Sequence, residues 1–203
     1  MNNHLPFTIS NEKMAGNYSI FYISQDPLYT KEELLAINDT IQNSNTTKPE
    51  PEKFGASQAN KQSKVSLILW LEIKKHLEKL EDFIYDANDE FFHYDIFDIS
   101  DFHYLNINEY DEENNSYDWH VDCNVYGSEE DLKLTCLLNI STELYDGGRL
   151  CLHGLDEEDE ERLLKEFAPG HVLLFTSYRQ HKVEPVTSGK RKTLSYWVRG
   201  PAW

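Results

Sequence analysis

Cysteine is scarce in this chain. There are three, Cys123, Cys136 and Cys151, an odd number without Cys-x-x-Cys spacing, so neither a disulfide framework nor a thiolate zinc site is indicated. Cys136 and Cys151 sit within apolar strand patterns and read as core residues. Cys123 follows Asp122 directly, with the opposite strand parity. Basic residues are also few: 19 Lys and Arg against 36 Asp and Glu give a formal net charge of -17. Nucleic-acid phosphates and anionic membranes bind through Lys and Arg that release counterions, so this balance disfavours both as partners. It is first of all that of a surface charged for solubility, and it could also attract a basic peptide. No apolar run is long enough to span a bilayer, and residues 1–10 lack the basic start and apolar stretch of a signal peptide. The expectation is a soluble, cytoplasmic protein. No repeat of fixed period is present.

The 203 residues suit one domain with a sizeable core. Tyr18 to Ile23 reads as a strand of aromatic and β-branched residues. Thr30 with Glu33 forms a capping box, and Leu34, Ile37 and Ile41 then recur on one helical face. Residues 43–62, with Pro49, Pro51 and Gly55, have neither periodicity nor apolar content and read as a loop, which could serve as a lid over a substrate. Leu69, Ile73, Leu77, Leu80, Ile84 and Ala87 predict one long amphipathic helix ending near Asn88. His76 on that helix reads as structural.

Beyond Asn88 the period changes to alternation. Residues 93–99 and 103–110 predict strands, residues 111–116 a polar turn, and residues 132–140 a strongly apolar strand. Asp146-Gly147-Gly148 is a tight-turn signal feeding residues 149–153. The acidic run 156–161 predicts a short helix with carboxylates at its favourable end. Residues 171–175, 180–186 and 191–198 complete about eight short strands. Residues 1–92 are thus expected to be a mainly helical support region and residues 93–203 the β core of a single domain. The fold class is mainly β with N-terminal helices (α+β), a closed or sandwiched antiparallel structure with helices packed on one side, for which a jelly roll is one solution.

Tyr117-Asp118-Trp119-His120-Val121-Asp122 carries the first chemical signal. Residues two apart on a strand face the same way, so His120 and Asp122 form half of a metal site. His181 can supply the rest from far along the chain. Two histidines and one carboxylate suit non-haem Fe(II) and leave coordination positions open. By themselves His120 and Asp122 are equally a surface pair, and His181 a core histidine. Arg191 changes the balance. Along the last strand Arg191, Thr193, Ser195 and Trp197 share one face, and a guanidinium pointing into a barrel requires an anion; a dicarboxylic cosubstrate would provide a bidentate partner. His103, His153 and His171 lack partners at ligand spacing, and Trp119 reads as packing.

This set resembles the 2-oxoglutarate and Fe(II)-dependent oxygenases, in particular the prolyl 4-hydroxylase-like group. The resemblance covers residues 88–198 and is carried by Tyr117-x-x-His120-x-Asp122, Gly147-Gly148-Arg149-Leu150, Pro169-x-His171-Val172-Leu173-Leu174-Phe175 and His181-x-Val183-x-Pro185-Val186-x-x-Gly189-x-Arg191 with Trp197. It implies a double-stranded β-helix with His120, Asp122 and His181 as metal and catalytic residues. It implies Arg191 and Tyr110 on the cosubstrate carboxylate, and Fe(II), 2-oxoglutarate and ascorbate as cofactors. Family members usually have a glycine in the turn after the first tyrosine; residues 111–116 have none. The implied activity hydroxylates an unactivated C–H bond, with peptidyl proline as target, a protein or peptide substrate, O2 as co-reactant, and 2-oxoglutarate decarboxylated to succinate and CO2. The competing readings are an oxidative demethylase of nucleic acid, which the acidity disfavours, a cupin-like metalloenzyme, and a non-catalytic metal-stabilised β-barrel binding module. Specificity would lie in residues 43–62, 111–116 and 124–131.

Overall fold

The alternating stretches pair into two facing sheets. In the computed structural model, which describes residues 7–9, 21–49, 61–122 and 129–202, seven strands form the larger sheet. They are β1 (Phe7–Ile9), β2 (Phe21–Ser24), β4 (Lys64–Leu69), β5 (Tyr104–Tyr110), β7 (Glu130–Asn139), β10 (Val172–Thr176) and β13 (Arg191–Pro201), in the order β1-β2-β10-β7-β13-β5-β4. The smaller sheet runs β3-β6-β11-β9, from β3 (Lys61–Gln62), β6 (Ser116–His120), β9 (Leu150–Leu152) and β11 (His181–Val183). A separate hairpin-like pair joins β8 (Tyr145–Gly147) to β12 (Val186–Gly189). Neighbouring strands are antiparallel throughout both sheets.

Period-two alternation gives the larger sheet two different faces. Leu134, Cys136 and Leu138 of β7, Val172 and Leu174 of β10, and Leu194, Tyr196 and Val198 of β13 bury against the helices. Leu137, Leu173 and Phe175 point the other way and meet Leu150, Leu152 and Val183 of the smaller sheet. A fully buried Leu or Phe stabilises by about 1.5–3 kcal/mol, so both layers hold the sandwich. This is a double-stranded β-helix with helices on one sheet, as expected from the sequence. The first 92 residues supply those helices, and also β1, β2 and β4, which join the larger sheet, and β3, which joins the smaller one.

Helix α1 (Lys31–Asn43) starts at the Thr30 capping box: the Glu33 amide donates to the Thr30 hydroxyl and the Thr30 amide to the Glu33 carboxylate at 2.8 Å. Leu34, Ile37 and Ile41 are its buried face. The single long helix predicted from Leu69 is broken. Leu69 ends β4, and α2 (Trp70–Ile73), a 3-10 turn (Lys74–His76), α3 (Glu78–Ala87) and a π turn (Asn88–Phe92) follow. The apolar face is continuous, since Ile73, Leu77, Leu80, Ile84 and Ala87 are all buried. What breaks the rod is its start: the Trp70 and Leu71 amides donate to the carbonyls of His103 and Asp101, so α2 follows the connection before β5.

Residues 93–99 are not a strand. His93 turns the chain at φ 56, Asn88 brackets Tyr94 by accepting from its amide and donating to its carbonyl, and the Phe97 amide makes one bond to the Arg199 carbonyl. The alternation is nonetheless real, because Tyr94 and Ile96 pack on the core without forming a ladder. The acidic run becomes α4 (Glu157–Glu166), capped by the Asp156 carboxylate, which accepts from the Asp159 amide. Of the strand expected at residues 18–23, Phe21 onward is described; Cys123, residues 50–60 and residues 124–128 lie outside the described residues.

Candidate active site

The sandwich brings together His120, Asp122 and His181 across the smaller sheet. His181 is the register partner of His120, and Asp122, just beyond β6, is tied in by its amide, which donates to the Ser177 carbonyl. One ligand atom from each of the three lies within 4.8 Å of the others, so the group could hold a metal ion. His120 Nε2 stands 3.7 Å from Asp122 Oδ1 and His181 Nε2 3.5 Å from Asp122 Oδ2.

Backbone contacts fix the tautomers. His120 Nδ1 donates to the Asp118 carbonyl at 2.7 Å and His181 Nδ1 to the Arg179 carbonyl at 2.9 Å. A carbonyl only accepts, so Nδ1 carries a proton, and Nε2 is the atom that faces the carboxylate and would donate to a metal from the neutral ring. Burial by itself would raise the Asp122 carboxyl. It is outweighed by the His181 and His120 imidazoles and the Thr135 hydroxyl, which hold the group below its ordinary range. The Thr135 hydroxyl donates to Asp122 Oδ2 at 2.7 Å, and the buried Trp197 Nε1 has no hydrogen-bond partner in range. The donor set is therefore one carboxylate and two imidazoles, the chemistry of a divalent transition-metal site.

Parity on β13 holds. Arg191, Thr193, Ser195 and Trp197 line the same small cavity as His120, Asp122 and His181, with Tyr110 and Tyr117. Arg191 is 2% exposed, and among the described residues no carboxylate lies within ion-pair distance of it. Its guanidinium is held between two rings instead, 5.2 Å from Tyr110 and 5.8 Å from Phe167. A buried guanidinium with only ring faces around it is a preformed anion site. Tyr110 is the register partner of Arg191, and burial pushes its phenol up while Arg191 pulls it back. Gly148 makes room for this arginine: its φ is +63°, and a Cβ there would stand 2.8 Å from Arg191 Cδ.

Three features escape a parity reading. Three steps on β6, from Tyr117 to His120, oppose two on β11, a bulge that turns Tyr117 inward; its ring stacks on His120 at 3.5 Å and 19°. Thr135 and Ser177, joined at 3.0 Å, belong to the larger sheet and the loop after β10. A threonine inside the apolar stretch 132–140 is the only signal the sequence offers for them. Ser195 is occupied by Asn108, whose amide donates to its hydroxyl at 2.8 Å. His103, which bonds the Tyr196 hydroxyl at 2.7 Å, and His171, beside the Ala168 carbonyl, are outside the cluster. Trp119 stands on the outer surface, with Lys182 Nζ 5.2 Å from its ring. Tyr117 and Val183 also line an open groove of about 700 Å³, which adjoins the inner cavity on that side.

Fold and cluster define a double-stranded β-helix protein with a two-histidine, one-carboxylate centre. The sequence model of the 2OG-Fe(II) oxygenase superfamily matches residues 105–199, the stretch that carries the cluster, Tyr110 and Arg191. That stretch is similar to the superfamily, and the fold is prolyl 4-hydroxylase-like. A PKHD-type hydroxylase of Prochlorococcus marinus (strain MIT 9313) is 36% identical over 85 residues, 41% of this chain and 36% of that protein, so the match spans about a third of the relative's length. Among solved structures, a Pseudomonas putida prolyl-4-hydroxylase matches with a TM-score of 0.62 at 14% identity, covering 90% of this chain and 94% of that one. A Trichoplax adhaerens prolyl hydroxylase, solved with a hypoxia inducible factor peptide fragment, matches with a TM-score of 0.62 at 17% identity, covering 88% and 83%. At such identities the likeness carries the fold.

Proposed function

We propose that this chain is a 2-oxoglutarate- and Fe(II)-dependent dioxygenase that hydroxylates an unactivated C–H bond of a protein or peptide, with peptidyl proline as the target. The observation that carries the reading is the meeting of His120, Asp122 and His181 with an anion-starved Arg191 in one cavity. In this reading His120 Nε2, His181 Nε2 and the Asp122 carboxylate hold Fe(II), and Arg191 pairs with the distal carboxylate of 2-oxoglutarate, where Tyr110 adds its hydroxyl. Bound metal and keto acid supply the oxidative step: O2, 2-oxoglutarate and the C–H bond become succinate, CO2 and the alcohol.

The chain's own residues supply position and exclusion. The carbonyls of Asp118 and Arg179 keep both imidazoles in the metal-donating tautomer, and Thr135 keeps the carboxylate ionised and oriented. Tyr117, Leu137, Leu150 and Val183 wall the cavity, which strengthens the Arg191–carboxylate pair by removing water. The Trichoplax neighbour's peptide complex and the groove beside Tyr117 and Val183 support a peptide substrate. Ascorbate rests on the family resemblance alone. The net charge of -17 weighs against nucleic acid.

Titrating 2-oxoglutarate into Mn(II)-loaded protein tests the reading. Wild type should bind it, and Arg191→Ala should weaken binding about 30-fold or more, since losing a desolvated charge pair costs about 2–5 kcal/mol. With Fe(II) and O2, succinate should form only when 2-oxoglutarate is present. Wild-type protein that neither bound 2-oxoglutarate nor formed succinate would sink the proposal and leave a non-catalytic metal-stabilised module.

A further inference from the structure

We propose that 2-oxoglutarate enters and succinate leaves through a second opening, the cavity between α4 and the turn at residues 145–148, on the far side of Arg191 from the metal cluster. The inference rests on the cosubstrate reading above and adds the route by which that site exchanges its ligand. This cavity measures about 340 Å³, and Arg191 lines it as well as the metal cavity. The two rings that hold the guanidinium come from opposite sides: Tyr110 belongs to the inner wall and Phe167 to the outer one. Leu150 also lines both. The partition between the spaces is thus the arginine itself with one leucine beside it.

Three properties suit this partition to passing a dicarboxylate. First, Arg191 is a buried cation without a carboxylate partner among the described residues, so an anion in the outer cavity is drawn toward the group that holds it in the inner one. Second, Gly148 places only backbone over the arginine stem, where a Cβ would stand 2.8 Å from Arg191 Cδ, so the wall on the outer side is as thin as a residue allows. Third, Arg149 and Asp146 at the rim are already engaged: Arg149 bonds Glu160 at 2.8 Å and the Ser188 hydroxyl donates to Asp146 at 2.8 Å. A port here lets cosubstrate and product exchange while a peptide occupies the groove beside Tyr117.

The test uses Leu164→Trp and Leu144→Trp. Both leucines line the outer cavity at its mouth and are exposed, 53% and 97%, so a tryptophan at either position narrows that mouth without touching Arg191 or the cluster. Association and release of radiolabelled 2-oxoglutarate are followed on Mn(II)-loaded protein, with unlabelled 2-oxoglutarate as the chase. Each variant is expected to slow both rates about fivefold or more while Kd stays within about twofold, because a blocked route changes the barrier and not the bound state. Rates equal to wild type in both folded variants overturn the port, and so does a changed Kd with an unchanged association rate. Failure of wild type to bind 2-oxoglutarate would overturn the cosubstrate reading itself, and the port with it.

Discussion

Asp122 illustrates how much of this site is held by groups that are not themselves ligands. Its two oxygens face the two imidazoles, and Thr135, on the opposite sheet and 1% exposed, donates to one of them. Thr135→Val keeps the shape and removes the donor. Outer partners of metal ligands typically contribute about 10–100-fold in affinity, so the variant should raise the Mn(II) Kd about tenfold, and lower stability by only about 1 kcal/mol. Equilibrium Mn(II) titration with a parallel thermal melt checks both; unchanged affinity would show the bond to be incidental. His120, Asp122, His181 and Arg191 were legible because strand parity and residue chemistry announce them. Thr135 and Ser177 were not, because their roles arise from hydrogen bonds across the sandwich that no local pattern encodes.

At the scale of elements, the turn between β5 and β6 shows how a missing glycine is replaced. Asp111 Oδ1 accepts from the amides of Glu113 and Asn114 at 3.1 and 2.9 Å, while Oδ2 takes Lys64 Nζ of β4 at 2.8 Å. One carboxylate thereby closes the turn that follows Tyr110 and pins it to the edge strand, keeping Tyr110 in register with Arg191. Lys64 first, then Asn114, holds the Asp111 carboxyl well below the usual range. A carboxyl lowered in the folded state adds stability at pH values above its unfolded pKa of about 3.9 and loses it as pH falls toward the folded value. The gap in Tm between wild type and Asp111→Ala should therefore be constant near neutrality and shrink below about pH 4. A gap independent of pH would show that the carboxylate is not what closes the turn. The sequence made the turn visible but not its staple, since Lys64 lies far away in the chain. In the same way, the apolar faces of the helices and most strands were visible. The break after β4 and the run 93–99, which joins no ladder, were not, because each depends on which neighbour is available to bond.

Across the whole molecule, the cluster lies where the two sheets meet. His120 and His181 come from the smaller sheet, while Asp122 is tied through Thr135 to β7 and through Ser177 to the loop after β10. An ion held by all three would act as a cross-link between the layers, stabilising the sandwich and not only one strand pair. Any ligand specific to the folded state contributes about 2.7 kcal/mol at a hundred times its Kd. For a domain of this size that corresponds to a rise in Tm of roughly 5–10 °C. Mn(II) should produce such a rise in wild type, a chelator should reverse it, and Asp122→Ala, which removes the carboxylate while leaving both imidazoles in place, should abolish most of it while sparing the fold. Hydrogen exchange adds the spatial test: Mn(II) should slow amides of β7 and β10 along with those of β6 and β11. Protection confined to β6 and β11, or equal stabilisation of wild type and Asp122→Ala, would mean that metal binds the histidine pair alone and that the two sheets are joined without it.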